Sequence, residues 1–180
     1  ALSYDKVKLI KEWIDHGAPD VNGNIFCSES NRKKVYAVNQ GCDVVTVFDA
    51  ETQLPIRYID VGIQPGVIET PHQIRVSPDG QFWYVNFING NVLQKFSCAD
   101  DKWVANIPLT PSGSSYFGDW NTFLITKDSK KAFCVSWKQV GKLVCLDLVN
   151  NRFVKDLTIA DNPHAIALSP DESKVYVGAQ

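Results

Sequence analysis

Four times along this chain, a turn residue is followed five positions later by an aromatic residue that lies in an apolar run. The pairs are Asn31 with Tyr36, Asp79 with Tyr84, Asp128 with Phe133, and Asp171 with Tyr176. The aromatic residues are spaced 48, 49 and 43 residues apart. Two units share a longer string, PHQIRVSPDG at 71–80 and PHAIALSPDE at 163–172. Strand-like units that repeat every 40 to 50 residues are typical of β-propeller blades.

The second unit shows how one blade is built. An extended run at 72–76 ends in a Ser-Pro-Asp-Gly turn, where Pro78 presets φ and Gly80 tolerates a positive φ. Runs at 82–87, 92–96 and 102–109 complete a four-stranded antiparallel meander, with an Asn-Gly hairpin turn at Asn89 and Gly90. The first and third units have runs at the same places.

We therefore predict an all-β fold, a β-propeller of four-stranded antiparallel blades. The predicted units cover 24–62, 72–109, 121–159 and 164–180, about three and a half blades within a propeller segment at 21–180. Propellers usually close with four to eight blades. The chain is accordingly expected to be a segment of a larger protein.

The first twenty residues form a separate unit, for which the sequence predicts one short α-helix at 4–16. Ser3 is suited to cap the helix, and Asp5 in the first turn complements the helix dipole. Val7, Ile10 and Ile14 recur at helical spacing. Gly17 is expected to end the helix, ahead of a linker that leads into the first blade.

Composition excludes several classes of function. A net charge of −2 without a basic stripe argues against a nucleic-acid-binding surface. No run approaches the 18 apolar residues that a membrane-spanning helix needs. The five cysteines form no CxxC pair and no zinc-type spacing. No nucleophile elbow, phosphate loop or HExxH string appears, so catalysis stays undecided.

The repeat resembles the YVTN family of β-propellers, whose units read PHxIAxSPDG followed by a strand that ends in VYV. The string at 163–171 and the strand Val175-Tyr176-Val177 are close to this pattern, and VVTVFD at 44–49 is similar to the family's third strand. The resemblance covers 24–180. It implies a fold and leaves the activity open.

The string LSYDKVKLIKEWIDHGA at 2–18 is similar to the C-terminal helix of bacterial c-type cytochrome domains, which often reads LSxxExxLIxxWIxxGA. In that family the helix packs over the haem, so the resemblance implies Leu9 and Trp13 as haem-packing residues. It also implies haem c in the intact protein. The CxxCH attachment motif is absent here, so this segment alone would hold no haem. The alternative is an ordinary helix that caps the propeller.

Candidate ligand-binding residues lie seven positions before each turn residue: Asn24, His72, Asn121 and His164. In a propeller the strand that opens each unit is innermost, so these four are predicted to form a ring at one mouth of the central channel. Polar side chains that converge there suit a small-molecule ligand. The alternative is that they only hydrogen-bond the loops between blades.

Departures from the repeat add candidates on the same side. Trp120 replaces the proline of the Pro-His pair in the third unit, after a long loop at 110–118. We predict that it stacks on a planar ligand at the channel rim. Gln73 and Arg75 replace alanines of the fourth unit, and Glu69 lies just before the second unit. For Arg75 we expect a carboxylate partner across the blades.

Three functions remain open. The first is an exported, periplasmic c-type cytochrome fused to a propeller, which transfers electrons and binds a redox partner or small ligand at the channel. The second is a haem-dependent oxidoreductase of the nitrite-reductase type, in which His72 and His164 serve a propeller-bound cofactor. The third is a propeller lactonase or an interaction scaffold without a redox role.

Overall fold

One helix and thirteen strands make up the part of the chain that the computed structural model describes, residues 2–16, 18–23 and 32–179. The helix α1 spans Tyr4–Asp15. The strands are β1 Lys34–Asn39, β2 Val44–Asp49, β3 Pro55–Asp60, β4 Pro71–Val76, β5 Phe82–Phe87, β6 Val92–Ser97, β7 Trp103–Pro108, β8 Trp120–Ile125, β9 Lys131–Ser136, β10 Gly141–Asp147, β11 Arg152–Ile159, β12 Pro163–Leu168 and β13 Val175–Ala179.

The strands form four antiparallel sheets in chain order, β1–β3, β4–β7, β8–β11 and β12–β13. Within the first sheet, Val35 pairs with Phe48 and Val38 with Val45. The predicted incomplete propeller of antiparallel blades is confirmed, and within the described residues the last sheet has two strands, β12 and β13. The inner strand predicted near Asn24 lies outside the described residues.

The middle strands of the second and third blades are largely buried because each of these blades packs between two neighbours. On β5, Trp83 joins the apolar cluster shared with the first blade, whereas Tyr84 joins the cluster shared with the third. Trp83 stacks on Phe96, with ring centroids 4.0 Å apart. The outer strands β7 and β11 are largely exposed. The core therefore lies between the blades.

A hydroxyl and a carboxylate organise the turn after each described inner strand. The hydroxyl donates to the carboxylate over 2.6 Å in all three turns, which pair Ser77 with Asp79, Thr126 with Asp128, and Ser169 with Asp171. The same hydroxyl oxygen accepts the N–H at the start of the next strand. The hydrogen bond from the Ser169 hydroxyl is the main cause that lowers the pKa of Asp171 to about 2. This hydrogen bonding explains the constant spacing from turn to aromatic.

The helix α1 exposes its apolar side chains. Ser3 is the N-cap residue, but among the described residues its side chain makes no capping bond. Trp13 Nε1 donates to the Pro19 carbonyl over 2.8 Å. The exposed large apolar residues are Leu2, Tyr4, Val7, Leu9, Ile10, Trp13 and Ile14. The predicted stop at Gly17 lies outside the described residues.

Within the described residues, no helix has both the length and the apolar character that a membrane crossing requires.

Candidate functional site

The three described inner strands β4, β8 and β12 all begin after a residue in the left-handed region. Thr70, Asp119 and Asn162 have φ values of 60°, 58° and 48°. Such a φ is uncommon outside glycine, and asparagine and aspartate tolerate it best. The chain therefore turns sharply at the same point of each blade, just before the predicted site residues.

A β-bulge follows each of these turns. Pro71 pairs with Phe87 and Gln73 with Asn86, which leaves His72 without a partner in the ladder. Asn121 in β8 and His164 in β12 likewise have no partner in the strand pairing. A bulged residue escapes the regular alternation of the strand, so its side chain takes a new direction. The same irregularity therefore occurs at the same position of three successive blades.

The bulged residues line one pocket. A cavity of about 360 Å³ has as its polar lining His72, Gln73, Asn121, Thr122 and His164. Three successive blades therefore contribute to a single site. Asn24, the fourth predicted member of the ring, lies outside the described residues.

The two histidines of the pocket have different surroundings. His72 is half-buried, and its Nδ1 lies 2.7 Å from Gln40 Nε2 of the first blade. Burial, followed by electrostatic repulsion between the two imidazoles when both carry a proton, lowers the pKa of His72, so its neutral imidazole predominates at pH 7. His164 is exposed.

Asn121 forms the buried part of the pocket, with 3% of its surface exposed. Its Nδ2 donates to the Pro163 carbonyl of the next blade over 3.3 Å. Its Oδ1 has no hydrogen-bond partner among the residues that the structure describes. A buried amide oxygen without a partner is costly, so the pocket contains an unused acceptor.

Trp137 lies beside the pocket, and the sequence did not single it out. Its ring centroid is 6.3 Å from that of His164, with the two planes at 86°. It follows directly after β9, where the second unit has Ile88. A tryptophan at the end of a predicted strand could have indicated this position, but Trp137 lies outside the string that the units share.

The stacking role predicted for Trp120 does not hold. The indole is fully buried in the core between the second and third blades, and its Nε1 donates to Asn91 Oδ1 over 2.7 Å. Asn121, the next residue, instead reaches the fourth blade through Pro163. Trp120 therefore packs towards the second blade. It is unavailable to a ligand at the channel mouth.

Arg75 and Gln73 link the inner strands of neighbouring blades. Arg75 Nε donates to the Phe123 carbonyl over 2.6 Å, so its cross-blade partner is a backbone oxygen and the expected carboxylate was wrong. Gln73 Oε1 accepts the Phe123 N–H over 2.6 Å and the Thr122 hydroxyl over 3.2 Å. Both side chains hold β4 against β8 and so fix the spacing of the pocket walls.

Glu69 is fully buried in the linker before β4. Its Oε1 accepts the backbone N–H groups of Ile63 and Gln64. The Asp43 carboxylate accepts the N–H groups of Glu69 and Thr70 over 2.6 and 2.8 Å. These bonds shape the linker that delivers the chain to the bulge at His72.

The chemistry of the pocket is that of hydrogen bonding by imidazole and amide groups. Within the described ranges, no cluster of three or more His, Cys, Asp or Glu side chains suits a metal ion. Leu9 and Trp13, the predicted haem-packing residues, are exposed on α1.

Comparison with known proteins finds a distant relative in sequence. No protein-family profile matches the chain. It is 26% identical to antigen Lp49 of Leptospira interrogans serogroup Icterohaemorrhagiae serovar copenhageni, over 83% of this chain and 31% of that protein. The chain therefore spans about a third of the length of this relative.

Two solved structures share the architecture. Kuenenia stuttgartiensis hydrazine synthase matches with a TM-score of 0.68 and 22% identity, over 80% of this chain and 40% of that chain. A candidate 6-phosphogluconolactonase from Bacteroides uniformis matches with a TM-score of 0.66 and 13% identity, over 82% of this chain and 44% of that chain. At these identities the likeness shows the fold alone, which is β-propeller-like.

Proposed function

We propose that this chain is part of an exported c-type cytochrome fused to a YVTN-type propeller. The haem transfers electrons, and the propeller binds a small ligand or a redox partner at its channel mouth. The binding role rests on the residues of the pocket, whereas the haem and the exported location rest on the resemblance of 2–18 to cytochrome helices.

One observation carries the binding role. Three successive blades use the same bulge to place His72, Asn121 and His164 in one pocket. Polar residues that only secured the loops between blades would have all their hydrogen bonds made. Asn121 Oδ1 has no partner in the described structure, and His72 presents a neutral imidazole. These groups favour a ligand with hydrogen-bonding atoms.

The unpacked helix supports the haem half of the proposal. A surface helix normally buries its apolar stripe. Val7, Leu9, Ile10, Trp13 and Ile14 remain exposed on α1. A haem-bearing domain that precedes the helix would cover this surface.

A haemochrome spectrum of the full-length protein from the periplasm tests the haem half. We expect the absorption bands of haem c, together with a CxxCH and a methionine upstream of Ala1. A full-length protein that lacks haem and this motif would leave only a non-redox propeller.

Native mass spectrometry of the same preparation tests the binding half. We expect a small-molecule adduct that is lost when His72→Ala and His164→Ala are combined. His16→Ala is the matched control, because His16 is the third histidine of the chain and lies at the end of α1. Retention of the adduct in the double variant would assign both histidines to loop packing.

A nitrite-reductase-like oxidoreductase is the second candidate. It is favoured by the two imidazole side chains, His72 and His164, that line one pocket, because nitrite reduction consumes protons and an imidazole can take up a proton and pass it to the ligand. Turnover of a small nitrogen oxide that ends in the double variant would separate this function from binding alone.

A further inference from the structure

A second cavity lies next to the channel-mouth pocket, where the connection between blades is short. The linkers before β4 and β8 cover residues 61–70 and 109–119, whereas the linker before β12 covers only 160–162. A cavity of about 510 Å³ lies beside this short linker, lined by Tyr116, Asp119, Trp137, Lys138, Gln139, Val140 and Asn162.

Ring surfaces are the main apolar feature of this cavity. Trp137 is 48% exposed although it is one of the largest apolar side chains. Its backbone is fixed, because Trp137 N–H donates to the Asp119 carbonyl over 2.7 Å. Its ring also lies edge-on to that of His164, a residue of the channel-mouth pocket, with centroids 6.3 Å apart. An exposed indole held in place is suited to stack on a flat ligand.

The second ring, Tyr116, is held as a neutral phenol. Its hydroxyl donates to the Val140 carbonyl over 3.2 Å and hydrogen-bonds Ser136 Oγ. Burial is the main cause that raises the pKa of Tyr116. The ring therefore contributes aromatic surface and no charge at neutral pH.

The charges of the cavity neutralise each other. Lys138 Nζ lies 3.4 Å from Asp119 Oδ2 and donates to the Phe117 carbonyl. It also stands 5.3 Å from the centre of the Tyr116 ring. An ammonium with these partners offers little net attraction to an anion, and the carboxylate offers little to a cation.

We propose that this cavity binds an uncharged planar aromatic small molecule, stacked on Trp137 at the edge of the channel mouth. The site uses residues other than His72 and Asn121, so it goes beyond the proposed channel-mouth function and does not need the haem.

Binding of 2-naphthol to the full-length protein tests the proposal. Decahydro-2-naphthol is the saturated, non-planar counterpart. With 5-fluorotryptophan labelling, we expect 2-naphthol to shift the ¹⁹F signal of Trp137, which Trp137→Phe identifies by its loss. Decahydro-2-naphthol should leave that signal in place. Equal shifts with both probes would overturn the role of ring stacking.

The affinity of 2-naphthol separates Trp137 from other exposed indoles. We expect Trp137→Ala to weaken binding at least tenfold and Trp137→Phe to weaken it about threefold. Trp103→Ala is the matched control, because Trp103 is similarly exposed on the outer strand β7. Unchanged affinity in Trp137→Ala, in a protein with an unchanged melting temperature, would refute the site.

Charge selectivity gives an independent measurement. Asp119→Asn removes the partner of Lys138, and asparagine tolerates the φ of 58° at this position. We expect the variant to bind 2-naphthalenesulfonate several-fold more tightly while 2-naphthol binding changes little. A sulfonate preference already present in the wild type would contradict an uncharged ligand.

The combined His72→Ala and His164→Ala variant should retain most naphthol binding. The stacking site and the channel-mouth site can therefore fail independently of each other, and the two failures are distinguishable.

Discussion

At the scale of single residues, Asp101 joins the first two blades. It is a buried residue of the second blade whose carboxylate accepts bonds from Lys34 Nζ and Tyr36 OH of the first blade, each over 2.9 Å. Trp83 Nε1 donates to it over 3.2 Å, and Arg57 Nη1 lies 3.4 Å from it. The Lys34 side chain is also buried. A buried ammonium depends on its counter-ion, so this contact is sensitive to substitution.

We predict that Asp101→Asn lowers the free energy of unfolding by about 3 kcal/mol, because it leaves the Lys34 ammonium buried without its charge partner. Asparagine keeps the left-handed backbone of Asp101, at a φ of 59°, and one acceptor oxygen. Urea unfolding measures the change. Asp100→Asn is the control, since Asp100 makes an exposed pair with Lys102 that contributes below about 1 kcal/mol. Equal effects of the two substitutions would rule out the buried ion pair as the cause.

At the scale of elements, the β5–β6 hairpin shows why a glycine is needed in it. The Asn-Gly pair suggested a turn with positive φ, but neither Asn89 nor Gly90 is among the residues with positive φ. A Cβ on Gly90 would overlap Glu69 Oε2 and lie 2.9 Å from Phe87 Cβ. The glycine therefore makes room for a buried carboxylate of the preceding linker.

We predict that Gly90→Ala destabilises the protein by about 2 kcal/mol, because the methyl group displaces the buried Glu69 side chain. Gly41→Ala in the equivalent β1–β2 hairpin is the control, since a Cβ there would meet nothing within 4 Å. Thermal unfolding of both variants measures the difference. If neither Gly90→Ala nor Gly41→Ala changes the melting temperature, the Glu69 side chain moves aside without loss of stability.

The blades were predictable from the sequence because a turn residue and an aromatic five residues later recur in all four units, and in three of them the turn is a hydroxyl–carboxylate pair. The bulges were not predictable from the sequence, because they arise from how β4, β8 and β12 pair with their neighbours. The sequence therefore placed His72, Asn121 and His164 together but put Trp120 beside them. Trp137, the indole beside the pocket, follows β9 directly and lies outside the string that the units share, so the repeat did not identify it.

At the scale of the whole molecule, the fourth sheet shows what a neighbouring blade contributes. Tyr84 in the second blade is 1% exposed, because the third blade covers it. Tyr176, which occupies the same place in the repeat, is 56% exposed. Among the described residues, β13 pairs with β12 and with no third strand, so one of its edges is open. An open edge beside an uncovered apolar face favours association.

We predict that the 180-residue chain expressed alone self-associates through this face and edge. Sedimentation velocity should show oligomers whose proportion rises with protein concentration. Tyr176→Lys should shift the distribution towards monomer, because a charge on the exposed face resists burial against a second copy. Val149→Lys is the control, since Val149 is an exposed apolar residue in the β10–β11 turn, away from that edge. A wild-type chain that stays monomeric across the concentration range would show that the fourth sheet is stable without a covering blade.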